Sequence, residues 1–288
     1  MVDLKFEDVY FNYSDEARIL HGINLELSDP GLVCIIGPNG VGKSTLVKCI
    51  NQLLKPTEGS VSVDGRSVGE YSLKELATKV AYVPAFSSDD FSMSVLDTVL
   101  MGRHPYRTRK STKEDLHAVY EVMKELNITH LALRNYDELS AGQHQKVALA
   151  RGLAQDTDIL ILDEPTANLD IRHQVQVTEL MKELSHEKGI TVIMISHDLN
   201  VSCRFADKVV VMSTPGIIYK VGAPEDVITE DLIRYVYGMN CRVIDDGGRP
   251  HVILQDPIPD EELQKMHLKE NDRSEEHTSE LQSLEEIS

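Results

Sequence analysis

Nine residues, Gly37-Pro38-Asn39-Gly40-Val41-Gly42-Lys43-Ser44-Thr45, gather three glycines, a lysine and two hydroxyls. Their spacing fits G-x-x-x-x-G-K-[ST], a loop that holds phosphate. The glycines let the backbone turn tightly and aim successive N–H groups at phosphate oxygens. A helix starting there adds a dipole that favours the anion. Lys43 reaches the β- and γ-phosphates of a nucleotide, and the Ser44 hydroxyl is a ligand for Mg²⁺. Other residues supply what hydrolysis requires. Asp163 and Glu164 directly follow the apolar run Ile159 to Leu162. Two carboxylates there divide the work: Asp163 holds Mg²⁺, directly or through water, and Glu164 orients or deprotonates an attacking water. His197 follows another apolar run, Thr191 to Ile195. Its imidazole either contacts a γ-phosphate or partners a helix cap. Tyr13, 24 residues before Gly37, either stacks on adenine or is a tyrosine on a half-buried strand. Ser140, Gly142 and Gln143 lie in Leu139-Ser-Ala-Gly-Gln143, ahead of a helical pattern. That is an anion site at a helix N-terminus or a plain serine N-cap.

These residues need a scaffold that sends several loops to one edge. Leu32 to Ile36, Ile159 to Leu162 and Thr191 to Ile195 are continuous apolar runs, as in parallel strands buried on both faces. Ligands bind at the carboxyl ends of such strands, where all three motifs fall. Helices are expected over Thr45–Leu54, after Ser72 with a capping-box glutamate at Glu75, over Ser94–Met101, from Thr112 to about Leu126, over Lys146–Ala154, and from Ile171 to Lys188 with Gly189 as the stop. Leu4 to Tyr10 alternates as an edge strand does, and Ile19 to Leu27 pairs with it. Strands are also expected over Ser60–Val63 and Val80–Val83, hairpins over Lys208–Lys220 and over Cys241–Leu254, and two short helices over Ala223–Tyr237.

The formal net charge of −18 argues against a general nucleic-acid binder. From Asp256 onward there are 11 acidic and 3 basic residues, so the tail holds −8 and the rest −10. No uncharged apolar run is long enough to span a bilayer, and the N-terminus has no signal-peptide pattern. Four cysteines without metal spacing fit a reducing cytoplasm.

Taken in order, Gly37–Thr45, Leu139–Gln143, Ile159–Glu164, Asn168-Leu169-Asp170 and His197 resemble the ATP-binding subunit of an ABC transporter, over about residues 2–255. The resemblance implies an α/β P-loop NTPase fold of the ABC ATPase type. It places an ATP-binding domain at 2–240, with an antiparallel β-subdomain and a helical subdomain at about 86–155. A small extension at 241–255 and an acidic, disordered tail at 256–288 follow. It implies ATP and Mg²⁺, with hydrolysis to ADP and phosphate. Glu164, His197 and Lys43 become catalytic, Ser44 and Asp163 metal ligands, Tyr13 the adenine-stacking aromatic, and Asp170 the aspartate of the loop after Glu164. Two copies would sandwich two ATPs, each phosphate loop facing Ser140, Gly142 and Gln143 of the other copy. Val99-Leu-Met-Gly-Arg-His-Pro-Tyr106, Val236-Tyr-Gly238 and Arg249-Pro-His-Val252 are similar to the subfamily that imports iron–siderophore complexes, haem and cobalamin. Molybdate or another imported substrate, a soluble ABC protein working on ribosomes or DNA, and a regulatory ATP-binding module are the alternatives. Permease subunits and a substrate-binding protein would be separate chains, and this chain would sit peripherally on the cytoplasmic face of the membrane.

Two departures stand out. Ala141 takes the second place of the usual Ser-Gly-Gly. Ala85 follows Val83-Pro84 where the family places a glutamine, and no glutamine occurs between Gln52 and Gln143. Ser87, through a water, is a better substitute oxygen than Asp89, whose carboxylate would repel the γ-phosphate. Finally, Arg273 to Ser283 looks like the translation of a sequencing adapter.

Overall fold

The computed structural model describes residues 3–14, 17–85, 93–106, 112–167, 169–263 and 266. Ser87, Asp89, Asn168 and the adapter-like segment lie outside them. The strands are β1 (Leu4–Ser14), β2 (Ala17–Leu27), β3 (Gly31–Ile36), β4 (Glu58–Val63), β5 (Arg66–Ser67), β6 (Val80–Val83), β7 (Ile159–Asp163), β8 (Thr191–Ile195), β9 (Lys208–Ser213), β10 (Ile217–Gly222), β11 (Met239–Asp245) and β12 (Pro250–Pro257). The helices are α1 (Lys43–Ile50), α2 (Leu73–Leu76), α3 (Val95–Leu100), α4 (Lys113–Glu125), α5 (Ala141–Ala154), α6 (Ile171–Lys188), α7 (Leu199–Phe205), α8 (Pro224–Val227) and α9 (Glu230–Tyr237).

A six-stranded sheet of order β10-β9-β3-β8-β7-β6 forms the centre, parallel except for β10. Alternation along its strands divides the interior. Leu32, Cys34 and Ile36 of β3 join the core under α3 to α7, while Val33 and Ile35 face α1 and the smaller sheet. Both faces are therefore covered, which is why these strands read as unbroken apolar runs. Burial pushes the Cys34, Cys49 and Cys203 thiols up to about 12, so they are inert packing groups.

The smaller sheet has the order β2-β1-β4-β5. The first strand is thus not an edge strand: β1 pairs with β2 on one side and β4 on the other. Its alternation reports one buried face, which an interior strand of a one-sided sheet shows equally. Two helix bounds also shift. The helix α1 ends at Ile50 instead of Leu54, because Gln52 takes a φ of 60° and the Leu54 N–H turns back to Lys48 O. In turn, α5 begins five residues before Lys146, at Ala141, because Ser140 caps it. The capping boxes at Ser72 and Thr112, and the stop at Gly189 with φ 63°, lie where the residue types put them.

The helices α3, α4 and α5 pack on one another, and the segment Met101–Tyr106 braces them. Arg103 donates to Asp115 Oδ1 at 3.2 Å and to Ala154 O at 3.0 Å, and the Tyr106 hydroxyl donates to Asp156 O. Gly102 has no room for a side chain, since a Cβ would lie 2.2 Å from Arg151 O. The β11–β12 hairpin docks on α7. There the Asn200 side chain exchanges two hydrogen bonds with the Val252 backbone, and Arg249 donates to Ala206 O. The strand β12 runs to Pro257 and Ile258 is buried, so packed structure continues past residue 256, where the acidic tail was expected to begin.

Candidate active site

The end of β3 delivers the phosphate loop. Gly37 has a φ of 148°, and a Cβ there would lie 2.3 Å from the Met212 carbonyl oxygen, so only glycine fits between β3 and β9. The Val41 side chain is 5% exposed and packs into the core with α1, which anchors the loop from behind. Pro38, Asn39 and Gly40 form its outer bend, and Gly42 precedes the first turn of α1. Lys43 Nζ donates to Gly37 O and Pro38 O, both at 2.8 Å, so the ammonium holds the loop's own carbonyls. Burial pushes the lysine below its usual range, and the carboxylates of Glu164 and Asp163 pull it back.

The strand β7 delivers Asp163, which is 4% exposed. Ser44 Oγ donates to its Oδ1 at 3.0 Å, and the Tyr82 hydroxyl donates to its Oδ2 at 2.9 Å. Glu164 comes next with a φ of 52°, left-handed for a residue with a side chain. Such a conformation costs about 1–3 kcal/mol and is found where a side chain must be aimed. Glu164 Oε1 lies 2.7 Å from His197 Nε2. The helix after His197 is capped by Asp198, whose Oδ1 accepts from Val201 N–H. The helix-cap alternative for His197 is therefore not what the chain adopts.

One cleft of roughly 420 Å³ is lined by Tyr13, Ile19, Asn39, Gly40, Gly42, Lys43, Ser44, Thr45, Glu164 and His197. Tyr13 lies near the end of the half-buried β1 and is itself 61% exposed; its hydroxyl lies 3.3 Å from Thr45 Oγ1 and its ring stands edge-on to Phe11. Ser140, Gly142, Gln143 and Asp170 are not brought there. They line a second cleft of roughly 520 Å³ that shares no residue with the first. Within it, Ser140 and Gln143 form a reciprocal capping box at the start of α5. Asp170 caps α6 through the His173 N–H, which is the main reason its carboxyl is held below the usual range, and its Oδ2 lies 2.8 Å from His173 Nδ1.

Among the described residues no cluster of three or more His, Cys, Asp and Glu is placed to hold a metal. Mg²⁺ bound through the phosphates of a nucleotide needs only one or two protein oxygens. The Ser44 hydroxyl and Asp163 carboxylate fit that use, being hard oxygen donors already 3.0 Å apart beside the phosphate loop.

Tyr82, His173 and Asn200 escaped the sequence reading. Tyr82 carried a signal: a phenol within the apolar strand Val80 to Val83 needs a polar partner. His173 lies inside the expected helix Ile171 to Lys188 and Asn200 in a stretch with no expected element, and neither carried one.

Fold and site together define a phosphate-loop ATPase, with acid, imidazole and lysine converging on one cleft beside the loop. Residues 20–167 match the ABC transporter family. The ferric enterobactin transport ATP-binding protein of Escherichia coli is 39% identical over 254 residues, covering 87% of this chain and 93% of the relative. A metal-chelate type ABC transporter solved in an inward-facing conformation matches with a TM-score of 0.76 and 27% identity, over 88% of this chain and 98% of that one. A bacterial ABC transporter cassette solved as a dimer matches with a TM-score of 0.68 and 30% identity, over 76% and 98%. The chain belongs to the ABC transporter family and is one of its ATP-binding transport ATPases. Among the described residues no helix is long and apolar enough to cross a membrane.

Proposed function

We propose that this chain is the ATPase of an importer for a metal chelate, of the iron–siderophore, haem or cobalamin kind, and that it works as two copies with two ATPs between them. The cargo class is supported by the names of the relative and of the solved transporter, together with the Val99–Tyr106 resemblance. The two-copy arrangement rests on the separation of the clefts. The phosphate-loop cleft and the cleft at the start of α5 share no lining residue, so a nucleotide in the first meets Ser140, Gly142 and Gln143 only if a second chain brings them. Gly142 adds support. A glycine inside a helix costs up to about 1 kcal/mol relative to alanine. Among the described residues, nothing beyond its chain neighbours and its own helix backbone lies within 4 Å of where its Cβ would be, so no such contact calls for it.

In this reading the phosphate-loop N–H groups and Lys43 hold the β- and γ-phosphates, Tyr13 stacks on adenine, and Ser44 and Asp163 hold Mg²⁺. When bound, Mg²⁺ supplies positive charge that offsets the charge gathering on the phosphate oxygens. Glu164 accepts the proton of the attacking water, and His197 keeps that carboxylate aimed across the 2.7 Å contact. Asp170 of each copy approaches the other across the interface. The chain attaches to separate permease subunits on the cytoplasmic face, and a substrate-binding protein hands over cargo on the other side.

The test joins binding, association and transport. Ser140→Arg should leave ATP binding by the single chain intact and abolish both ATP-dependent association and hydrolysis. Normal hydrolysis by Ser140→Arg would refute the two-copy site. For the cargo, cells lacking the chain should lose uptake of radiolabelled ferric siderophore, haem or cobalamin while keeping molybdate uptake; the reverse result would refute the cargo class.

A further inference from the structure

Both oxygens of the buried Asp163 carboxylate accept a hydrogen bond, one from Ser44 and one from Tyr82. Ser44 belongs to the phosphate loop. Tyr82 belongs to no motif. It reaches Asp163 because β6 and β7 run parallel with Tyr82 opposite Ile161, and Asp163 lies two residues further along the same face. The ring packs against the core shared by Ile161 and Leu46, while the hydroxyl points past it to the carboxylate. Packing alone would be served by phenylalanine. A half-buried hydroxyl is costly to desolvate unless it is paired, and here the pairing is with a charged group, the stronger kind.

Three residues beyond Tyr82 the chain carries Ala85, which is exposed and has no polar side-chain atom. From Val80 to Ala85, Tyr82 is the one residue with a polar side-chain atom. Within Val80 to Ala85, any polar side-chain contact with the site comes from that hydroxyl.

We propose that Tyr82 is a positioning residue for the nucleotide-bound cation: by holding Oδ2 of Asp163 it fixes the carboxylate so that Oδ1 stays beside Ser44, ready for Mg²⁺ that arrives with ATP. The proposal rests on the assignment of Ser44 and Asp163 made above. It predicts a specific dependence. Losing the hydroxyl weakens the gain in nucleotide affinity that Mg²⁺ confers, and leaves Mg²⁺-free binding alone, because that hydroxyl is bonded to Asp163 while the loop and Lys43 hold the phosphates.

The experiment measures binding of a non-hydrolysable ATP analogue to the whole chain, in excess Mg²⁺ and in EDTA, for wild type, Tyr82→Phe, Asp163→Asn and the double variant. Tyr82→Phe keeps the ring and its packing. It should cut the Mg²⁺-dependent gain by about tenfold, the low end for a hydrogen bond to a charged group, with EDTA binding within about twofold of wild type. Asp163→Asn should lose at least as much of the gain as Tyr82→Phe, and the double variant should match Asp163→Asn, since the tyrosine acts through the carboxylate. An undiminished gain in Tyr82→Phe overturns the proposal. So does an equal loss with and without Mg²⁺, which is the mark of a merely structural role, or a loss in the double variant beyond that of Asp163→Asn alone. If the wild type itself shows no Mg²⁺-dependent gain, the metal assignment fails and takes the proposal with it.

Discussion

Replacing Glu164 by glutamine removes a charge while keeping the shape, and the structure separates the consequences. The residue sits at φ 52°, a conformation no worse for glutamine, and an amide oxygen can still accept from His197 across 2.7 Å. The His197 and Glu164 side chains are 44% and 31% exposed, so their contact contributes less than about 1 kcal/mol to folding. Stability should hardly change. Turnover should. A lost general base costs roughly 10²–10⁴-fold in kcat, about 2.7–5.4 kcal/mol of barrier. The KM for ATP should stay near that of wild type, because Lys43, Ser44 and the loop are untouched, and the variant should accumulate as an ATP-bound dimer. His197→Ala should lower kcat less. The double variant should be no slower than Glu164→Gln alone, since the two act through one contact. The assay is phosphate release at saturating Mg-ATP, with binding by titration and association by light scattering. A Glu164→Gln kcat close to wild type would refute the role of the carboxylate. Additive losses in the double variant would show that His197 acts elsewhere.

Other substitutions probe the rest of the reasoning. Gly142→Ala should stabilise the isolated chain by up to about 1 kcal/mol, read from chemical denaturation, yet reduce hydrolysis on the order of 10²-fold if a second copy must approach that surface closely. Unchanged hydrolysis would leave the glycine without a reason. Arg103→Ala should cost about 2–3 kcal/mol, below the usual loss for breaking a buried pair because Asp115 keeps its Thr112 donors; a loss under about 0.5 kcal/mol would show that the brace is idle. The Asp115 carboxyl is held below its usual range, first by the Thr112 N–H and then by Arg103, so its contribution is full above the ordinary aspartate pKa and fades as pH falls through the lowered one. Stability measured down an acid series should therefore drop at higher pH in Arg103→Ala than in wild type. Ala85→Gln should raise permease-coupled hydrolysis by about fivefold or more at unchanged ATP affinity, and a decrease would show that the loop is organised differently.

Much of this was written in residue types and spacings. The phosphate loop, the acid pair and His197 could be found because each follows an apolar run that only a doubly covered strand requires, and because strands of such a sheet end together. The bounds of α6 were legible from Asp170 to Gly189, since a capping side chain and a left-handed glycine are local requirements. What depends on neighbours across the fold was not. The interior position of β1 is a matter of pairing, and one strand's pattern cannot say how many partners it has. Tyr82 meets Asp163 through the register of two strands 81 residues apart in sequence. The same holds for the Asn200 and Val252 pairing, which joins the first turn of α7 to the last strand. The length of α1 was misjudged because its end is set by a left-handed glutamine, Gln52, where the residue type gives no warning.

The segment Gly102–Tyr106, part of the Val99–Tyr106 stretch, touches the chain's own framework: Gly102 lies against Arg151, Arg103 against Asp115 and Ala154, and Tyr106 against Asp156. That stretch is thus a joint that seats α5 against α4. Neither helix can shift alone without opening one of the two hydrogen bonds of Arg103, so a displacement that reaches one is passed to the other.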